Sequence, residues 1–252
     1  MKINNNNFVK NLICYDEIDS TNNAAKAYDC ADTTLFVAKK QTAGKGRMGR
    51  VWQSEEGAGI YMSLALLPYM EIEKVMQITL ISALAVREAI CCFCDVSTQI
   101  KWPNDIVFEC KKVCGILTEA TVEKGIAKKV IAGIGVNVNN SDFADDISQI
   151  ATSLKLITGK NSDREELINC IIDKFEVYYK MLKDQRLDEI IDEYKKHCAN
   201  IGKKVTFVYK NENVQATATD LTPMGELVAQ KDDGTTIIVN SGEVSVKGIY
   251  GC

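Results

Sequence analysis

From Lys39 to Trp52 the chain reads Lys39-Lys40-Gln41-Thr42-Ala43-Gly44-Lys45-Gly46-Arg47-Met48-Gly49-Arg50-Val51-Trp52, with five basic residues, three glycines and no acid. That mixture suits an anion. Glycines let backbone N–H groups turn toward a phosphate. Lysine and arginine neutralise its oxygens, arginine often with two bonds. Two literal motif matches fail on context. Gly44-x-Gly46-x-x-Gly49 fits a dinucleotide fingerprint, which needs a helix directly after it. Arg50-Val51-Trp52-Gln53-Ser54 and then Gly57-Ala58-Gly59 follow, and predict a loop. The same string with Val51 fits a protein-kinase glycine loop, but His-Arg-Asp and Asp-Phe-Gly occur nowhere in the sequence. A solvated loop is the plain alternative, and a tryptophan inside it argues for something more.

Three later segments could work with this loop. Lys101-Trp102-Pro103-Asn104-Asp105 ends a strand-like run. Trp102 offers a flat apolar face, Pro103 fixes a turn, and Lys101 and Asn104 supply polar groups; the plain reading is a strand-ending turn with a buried tryptophan. Lys112 opens Lys112-Val113-Cys114-Gly115-Ile116-Leu117 and alone reads as a surface lysine. Ala132-Gly133-Ile134-Gly135-Val136-Asn137 is a β-run with two positions free of side chains, suited to close strand packing or to a flat wall for a ligand. Other chemistries have little to stand on. The single histidine, His197, sits beside Lys195 and Lys196 in a helical pattern and reads as a solvated helix end. A Ser–His–Asp or Cys–His mechanism would depend on it alone. Ten cysteines are scattered, several in apolar runs, and the clusters Cys91-Cys92-x-Cys94 and Cys110-x-x-x-Cys114 have no histidine nearby, so no metal site is expected.

The elements that must hold these residues are legible in outline. Ser20 or Thr21 is placed to cap a helix through AAKAY. Residues 35–39 and 60–67 read as strands. Ile72, Val75, Met76, Thr79, Ala83, Leu84 and Val86 recur at helical spacing. Strand-like runs follow at residues 99–102, 106–108, 113–118 and 129–138, with a hairpin about residues 109–112. Leu167, Ile171, Phe175, Tyr178 and Leu182 share one helix face, with Ser162-x-x-Glu165 as a capping box, and Leu187, Ile190, Ile191 and Tyr194 continue as a second helix. Beyond residue 200 five short runs separated by turn signals predict a small barrel. Two domains are expected, 1–198 and 199–252, and residues 4–7 read as a frayed polar start. Composition is that of a soluble globular protein, 46% hydrophobic and 25% charged, and the net charge of −4 argues against a surface built for nucleic acid. No secretory signal and no apolar run long enough for a bilayer are read, so a cytoplasmic protein with reduced thiols is expected.

Taken together, Asp19-Ser20-Thr21-Asn22, the loop at residues 41–52, Lys101-Trp102-Pro103-Asn104-Asp105, Lys112-x-x-Gly115-Ile116-Leu117 and Gly133-x-Gly135-x-Asn137 appear in order. This series resembles the biotin–protein ligases (biotin–[acetyl-CoA-carboxylase] ligases), over nearly the whole chain. The resemblance implies an α+β catalytic domain, a mixed β-sheet with packed helices of the class II synthetase/biotin ligase type, followed by a small SH3-like β-barrel. It assigns Ser20, Thr21, Asn22, Gln41, Lys45, Gly46, Arg47, Lys112, Gly115, Gly133 and Gly135 to biotin, and Arg47, Arg50, Trp52, Lys101, Asn104 and Asn137 to ATP. Lys112 and Arg47 are the expected catalytic residues. The family loop carries Gly-Arg-Gly-Arg-x-Gly-Arg; here Lys45 replaces its first arginine, keeping charge and losing the two-pronged geometry. The implied reaction joins biotin to AMP, with ATP and Mg²⁺, and passes biotin to a lysine of a biotin carboxyl carrier protein or domain. Dimerisation by sheet extension is implied by resemblance only. No DNA binding is expected, because 18 residues before Asp19 leave no room for a helix-turn-helix domain. The alternatives are a lipoate–protein ligase and a non-catalytic biotin-binding regulator.

Overall fold

The computed structural model describes residues 8–240 and 244–250. The tract at residues 4–7 and part of the turn expected at residues 240–242 lie outside these. The first unit runs β1 (Asn11–Ile18), α1 (Thr21–Ala27), β2 (Thr34–Gln41), β3 (Ile60–Leu66), β4 (Met70–Glu71), α2 (Val75–Cys94), β5 (Gln99–Lys101), β6 (Asp105–Phe108), β7 (Lys111–Glu123), β8 (Ile126–Val136), α3 (Leu154–Thr158), α4 (Arg164–Lys183) and α5 (Leu187–His197). Its strands form one mixed sheet in the order β1-β2-β3-β8-β7-β6-β5, with β4 paired to β8. Only β1 and β2 run parallel; the other pairs are antiparallel.

The sheet has two unlike faces, because alternate residues along a strand point opposite ways. One face, with Leu35, Leu64, Val130 and Ile134, packs under α2 and α4 in the main core. The other carries Phe36, Ala65 and Ile131 beneath Ala25 of the short α1. Past the end of α1 this second face is bare, and the site lies there. β3 is buried along its whole length, so apart from Ser63 it is apolar on both faces and shows no polar alternation. Ile72–Cys94 is 23 residues long and apolar enough by length and composition to cross a membrane, against the expectation that no such run exists. Here it lies mostly buried inside the protein, and a helix covered over most of its surface is largely apolar.

Several local expectations need correction. Asp163 caps α4, its Oδ1 accepting from the N–H groups of Glu165 and Glu166 at 2.8 and 3.1 Å. Ser162 lies one residue earlier and donates its backbone N–H to Asn139 Oδ1 instead. Ser20 does occupy the N-cap of α1, but its side chain makes no cap bond. The β6–β7 turn is tighter than read: Glu109 and Cys110 alone make it, both left-handed at φ 44° and 68°. β1 and α3 were not anticipated; β1 is a half-exposed edge strand with a weak apolar pattern. Trp102 is buried and faces the C-terminal strands, donating Nε1–H to Gly225 O at 2.9 Å.

Those strands are β9 (Lys204–Tyr209), β10 (Glu212–Leu221), β11 (Leu227–Gln230), β12 (Thr236–Val239) and β13 (Val244–Val246), at the five places read from sequence. They form one antiparallel sheet in the order β12-β11-β10-β9-β13. It docks on the end of β5 and the turn after it, which carries Trp102. Asn200 Oδ1 accepts from Trp102 N at 2.7 Å, and Ala199 N–H donates to Ile100 O at 2.8 Å.

Candidate active site

The floor of the site is a patch without side chains. In the β7–β8 pair Gly115 stands opposite Gly135 and Leu117 opposite Gly133, so all three glycines open on the bare face. A side chain on any of them would collide with what lies above the floor. A Cβ on Gly133 would lie 2.1 Å from Asn22 Oδ1, and one on Gly135 would lie 2.5 Å from Trp52 Cε2. On Gly115 it would meet Trp52 and the end of the Lys112 side chain, both under 3.0 Å away.

At one end of the patch the start of α1 supplies a buried polar cluster. Ser63 Oγ on β3 lies 2.7 Å from Thr21 Oγ1 and 2.6 Å from Asn22 Oδ1. Asn22 Nδ2 donates to Glu119 Oε2 at 2.8 Å. Gln41, at the end of β2, accepts from Thr21 N–H at 2.8 Å and from its hydroxyl at 3.1 Å. Polar groups held this way are costly to disturb, because each buried donor left unpaired costs about 1–3 kcal/mol. Neither Ser63 nor Glu119 stands out in the sequence. Each sits in an ordinary strand pattern, and only the sheet register brings them to Asn22.

At the other end is a charged cluster. Lys112 Nζ lies 2.7 Å from Asp105 Oδ1. Asn104 Nδ2 donates to the same oxygen at 3.0 Å and to Ile116 O, while Asn104 Oδ1 accepts from Arg47 Nη1 at 2.7 Å. Tyr250 donates its phenol to Asp105 Oδ2 at 2.8 Å. Burial pushes the Asp105 carboxyl up, but Lys112, Lys101 and the hydrogen bonds from Lys112 and Tyr250 outweigh it and hold it below the usual carboxylate value. It is therefore ionised at neutral pH. The Lys112 backbone is braced on its other side by Ile150 O and Thr152 N–H, at 2.8 and 2.9 Å.

Between the two ends lies the basic loop. Gly46 N–H bonds Arg50 O at 2.7 Å and Trp52 N–H bonds Gly44 O at 2.8 Å, closing a small arch. Its crown is one 3₁₀ turn with Met48 left-handed. Met48 and Val51 are exposed. Trp52 lies against the glycine patch with Lys112 Nζ 5.4 Å from its ring centroid, and its buried Nε1 has no hydrogen-bond partner. Lys45 Nζ donates to Asn23 Oδ1 at 2.6 Å.

Two adjoining cavities result. The smaller, ≈ 40 Å³, is lined by Ser20, Thr21, Asn22, Gln41, Lys45, Gly46, Arg47, Lys112, Gly115, Gly133 and Gly135, together with Met62, Ile116 and Ile134. Every residue that the resemblance assigned to biotin is in it. The larger, ≈ 760 Å³, is lined by Arg47, Arg50, Trp52, Lys101, Asn104 and Asn137, the residues assigned to ATP. Asn140, Phe143, Ile147 and Ile150 also line it, from a stretch where no motif was read. Gly46, Arg47, Trp52, Asn104 and Lys112 line both. His197 is remote in role: it ends α5 and pairs with Glu193 at 3.1 Å.

Comparison with known proteins agrees with this geometry. The Biotin/lipoate A/B protein ligase family matches residues 15–137, and the Biotin protein ligase C terminal domain matches residues 201–247. The chain is 38% identical over 246 residues to the bifunctional ligase/repressor BirA of Bacillus spizizenii, covering 96% of this chain and 72% of that protein. It is 30% identical over 196 residues to the biotin–[acetyl-CoA-carboxylase] ligase of Paracoccus denitrificans, covering 74% of this chain and 80% of that one. Among solved structures, the biotin protein ligase of Aquifex aeolicus in complex with biotin and ATP matches at a TM-score of 0.84 with 33% identity, over 94% of this chain and 99% of that one. On its sheet, its glycine floor and these matches, the chain belongs to the biotin/lipoate protein ligase family, in its biotin–protein ligase branch.

Proposed function

We propose that the protein activates biotin with ATP and transfers it to a lysine of a biotin carboxyl carrier protein or domain. The observation that carries this reading is the place of Lys112, on the seam of both cavities and beside the glycine floor. A carboxylate in the small cavity and the α-phosphate of ATP in the large one would meet at that ammonium group. Both are anions, and their approach needs cations already in position. Lys112 and Arg47, which both line the seam, supply them. The carboxylate attacks the α-phosphorus and pyrophosphate leaves; the acceptor amine then attacks the acyl carbon of the anhydride, AMP leaves and the new amide gives up a proton. No protein nucleophile is needed, because positioning lowers the barrier.

Biotin is favoured over lipoate by the far end of the small cavity. Thr21, Asn22 and Gln41, backed by the buried Ser63, present both donors and acceptors there. A cyclic urea offers two N–H donors and a carbonyl to such a wall, whereas a dithiolane ring offers no comparable partner. Mg²⁺ would enter with ATP, bound mostly by phosphate oxygens and water. Asp142 and Asp146 line the same cavity and suit that charge.

Pyrophosphate release with ATP, Mg²⁺ and either biotin or lipoate tests the reading. Release with biotin, followed by a biotin-sized mass gain on one lysine of a carrier domain, is expected. Release with lipoate alone makes the chain a lipoate ligase, and release with neither acid leaves a binding protein.

A further inference from the structure

Asp105 divides its two oxygens between two parts of the molecule. Oδ1 holds Lys112 Nζ at 2.7 Å and Oδ2 accepts the Tyr250 phenol at 2.8 Å. Tyr250 belongs to the segment after β13, which folds back over the β6–β7 turn. Ile249 is buried, and Tyr250 N–H donates to Cys110 O at 3.1 Å. The backbone at Tyr250 is left-handed, at φ 64°. A bulky residue enters that region at a cost, and the surroundings must hold it there. The ring has a second contact: Lys101 Nζ stands 4.7 Å from its centroid. One side chain from beyond the C-terminal strands thus touches two charged groups of the proposed site.

We infer that Tyr250 is a positioning residue for the adenylation step. By fixing Oδ2 it sets the plane of the Asp105 carboxylate, so that Oδ1 keeps Lys112 Nζ on the seam between the cavities. The terminal torsion of an aspartate is soft; Asn104 and Lys112 both meet Oδ1, and the phenol is the hydrogen bond that fixes Oδ2. A buried carboxylate oxygen without a donor captures the nearest cation. Here the nearby cations are Lys112 and Lys101, and either capture alters the charge offered to the α-phosphate. Burial and the adjacent Asp105 push the phenol's pKa upward, so it stays a donor across the working pH range. Docking of the C-terminal sheet is in this way a condition for a well-placed Lys112. The inference rests on the proposed role of Lys112 at the reacting carboxylate.

Tyr250→Phe keeps the ring above Lys101 and removes one hydroxyl. With the full-length protein, kcat for biotin-dependent pyrophosphate release is expected to fall about tenfold, the worth of one hydrogen bond to a charge. KM for biotin and the melting temperature should stay near wild type. Asp105→Asn should lose more. The double variant should be no slower than Asp105→Asn alone, because the phenol acts only through that carboxylate. A Tyr250→Phe enzyme as fast as wild type overturns the inference. So do losses that multiply in the double variant, and so does a fall in kcat accompanied by equal losses of biotin affinity and melting temperature, which marks a general packing role. Wild-type protein that releases no pyrophosphate with biotin overturns the proposed function and this inference with it.

Discussion

The glycine floor and the glycine-rich loop above it use the same residue for opposite ends. On the floor Gly115, Gly133 and Gly135 are fixed by strand register, and each is glycine because something already occupies the space of a Cβ. In the loop Gly49 has nothing within 4 Å and a φ of 76°, so it serves the bend itself. The floor is built into the sheet and backed by buried hydrogen bonds. The loop is an arch of a few backbone bonds with exposed apolar side chains at its crown. A substrate site needs both: a rigid surface that recognises, and a cover that opens. Substitutions on the floor should therefore act on binding and chemistry, and those in the loop on retention.

Lys112, at the edge of the floor, should show the largest effect. Lys112→Ala removes the cation at the seam, and biotin-dependent pyrophosphate release should fall about a thousandfold. Biotin binding, followed by calorimetry, should weaken far less. Near-normal release would take Lys112 out of the chemistry and leave the floor without a catalytic edge.

Two glycine substitutions separate the floor from the loop directly. Gly133→Ala drives a methyl group into Asn22, which cannot retreat without breaking its bonds to Ser63 and Glu119. Biotin affinity should drop about a hundredfold, with about 2 kcal/mol of stability lost in urea titration, the cost of buried polar groups left unpaired. Gly135→Ala meets the ring of Trp52, a half-buried side chain of the loop. Its cost in affinity should be about tenfold and its cost in stability small, because the displaced group belongs to the loop and not to the sheet. Equal losses for the two would mean that the loop is as rigid as the floor.

The same contrast explains what the sequence could disclose. Chemistry-bearing loop and strand-end motifs announce themselves by composition, as at Lys45, Arg47, Lys101 and Asn104, whereas Lys112 alone reads as a surface lysine and stands out only within the ordered series of motifs. The helices α2, α4 and α5 were legible too, since long apolar periodicity survives in one dimension, while the five-residue α3 was not. What escaped was whatever depends on distant strands meeting. Ser63, Glu119 and Tyr250 are ordinary residues in ordinary patterns, 41 residues or more from the partners they hold. β1 escaped because an edge strand is only half buried and carries little apolar signal. Trp102 was read as a face for a ligand or as a buried anchor; the docked C-terminal strands, which pattern alone could not place, decide for the anchor.

Loop substitutions should have smaller effects, and of another kind. Arg47 is tied to the floor by its bond to Asn104 Oδ1 at 2.7 Å. Arg47→Gly removes that tie and a cation together. The adenylate should escape about fivefold faster, the worth of roughly one such bond. Bystander lysines on an unrelated protein should become biotinylated, as read by streptavidin blot. Labelling that stays confined to the carrier would deny the loop its role as a cover.

Lys45 should matter least, although it is where this chain departs from the family loop. Its ammonium group is engaged at the loop's base, 2.6 Å from Asn23 Oδ1 on α1. There the need is for a point charge beside Asn23 and the Asp19 carboxylate bonded to it, which lysine meets as well as arginine. Lys45→Arg should therefore change KM for biotin by no more than about twofold, in line with exposed polar contacts. Asn23→Ala should mimic Lys45→Ala, since each removes the same tether. A large gain in biotin affinity from Lys45→Arg would show that the residue reaches past Asn23 to the ligand, and would move the boundary between loop and floor to the near side of Lys45.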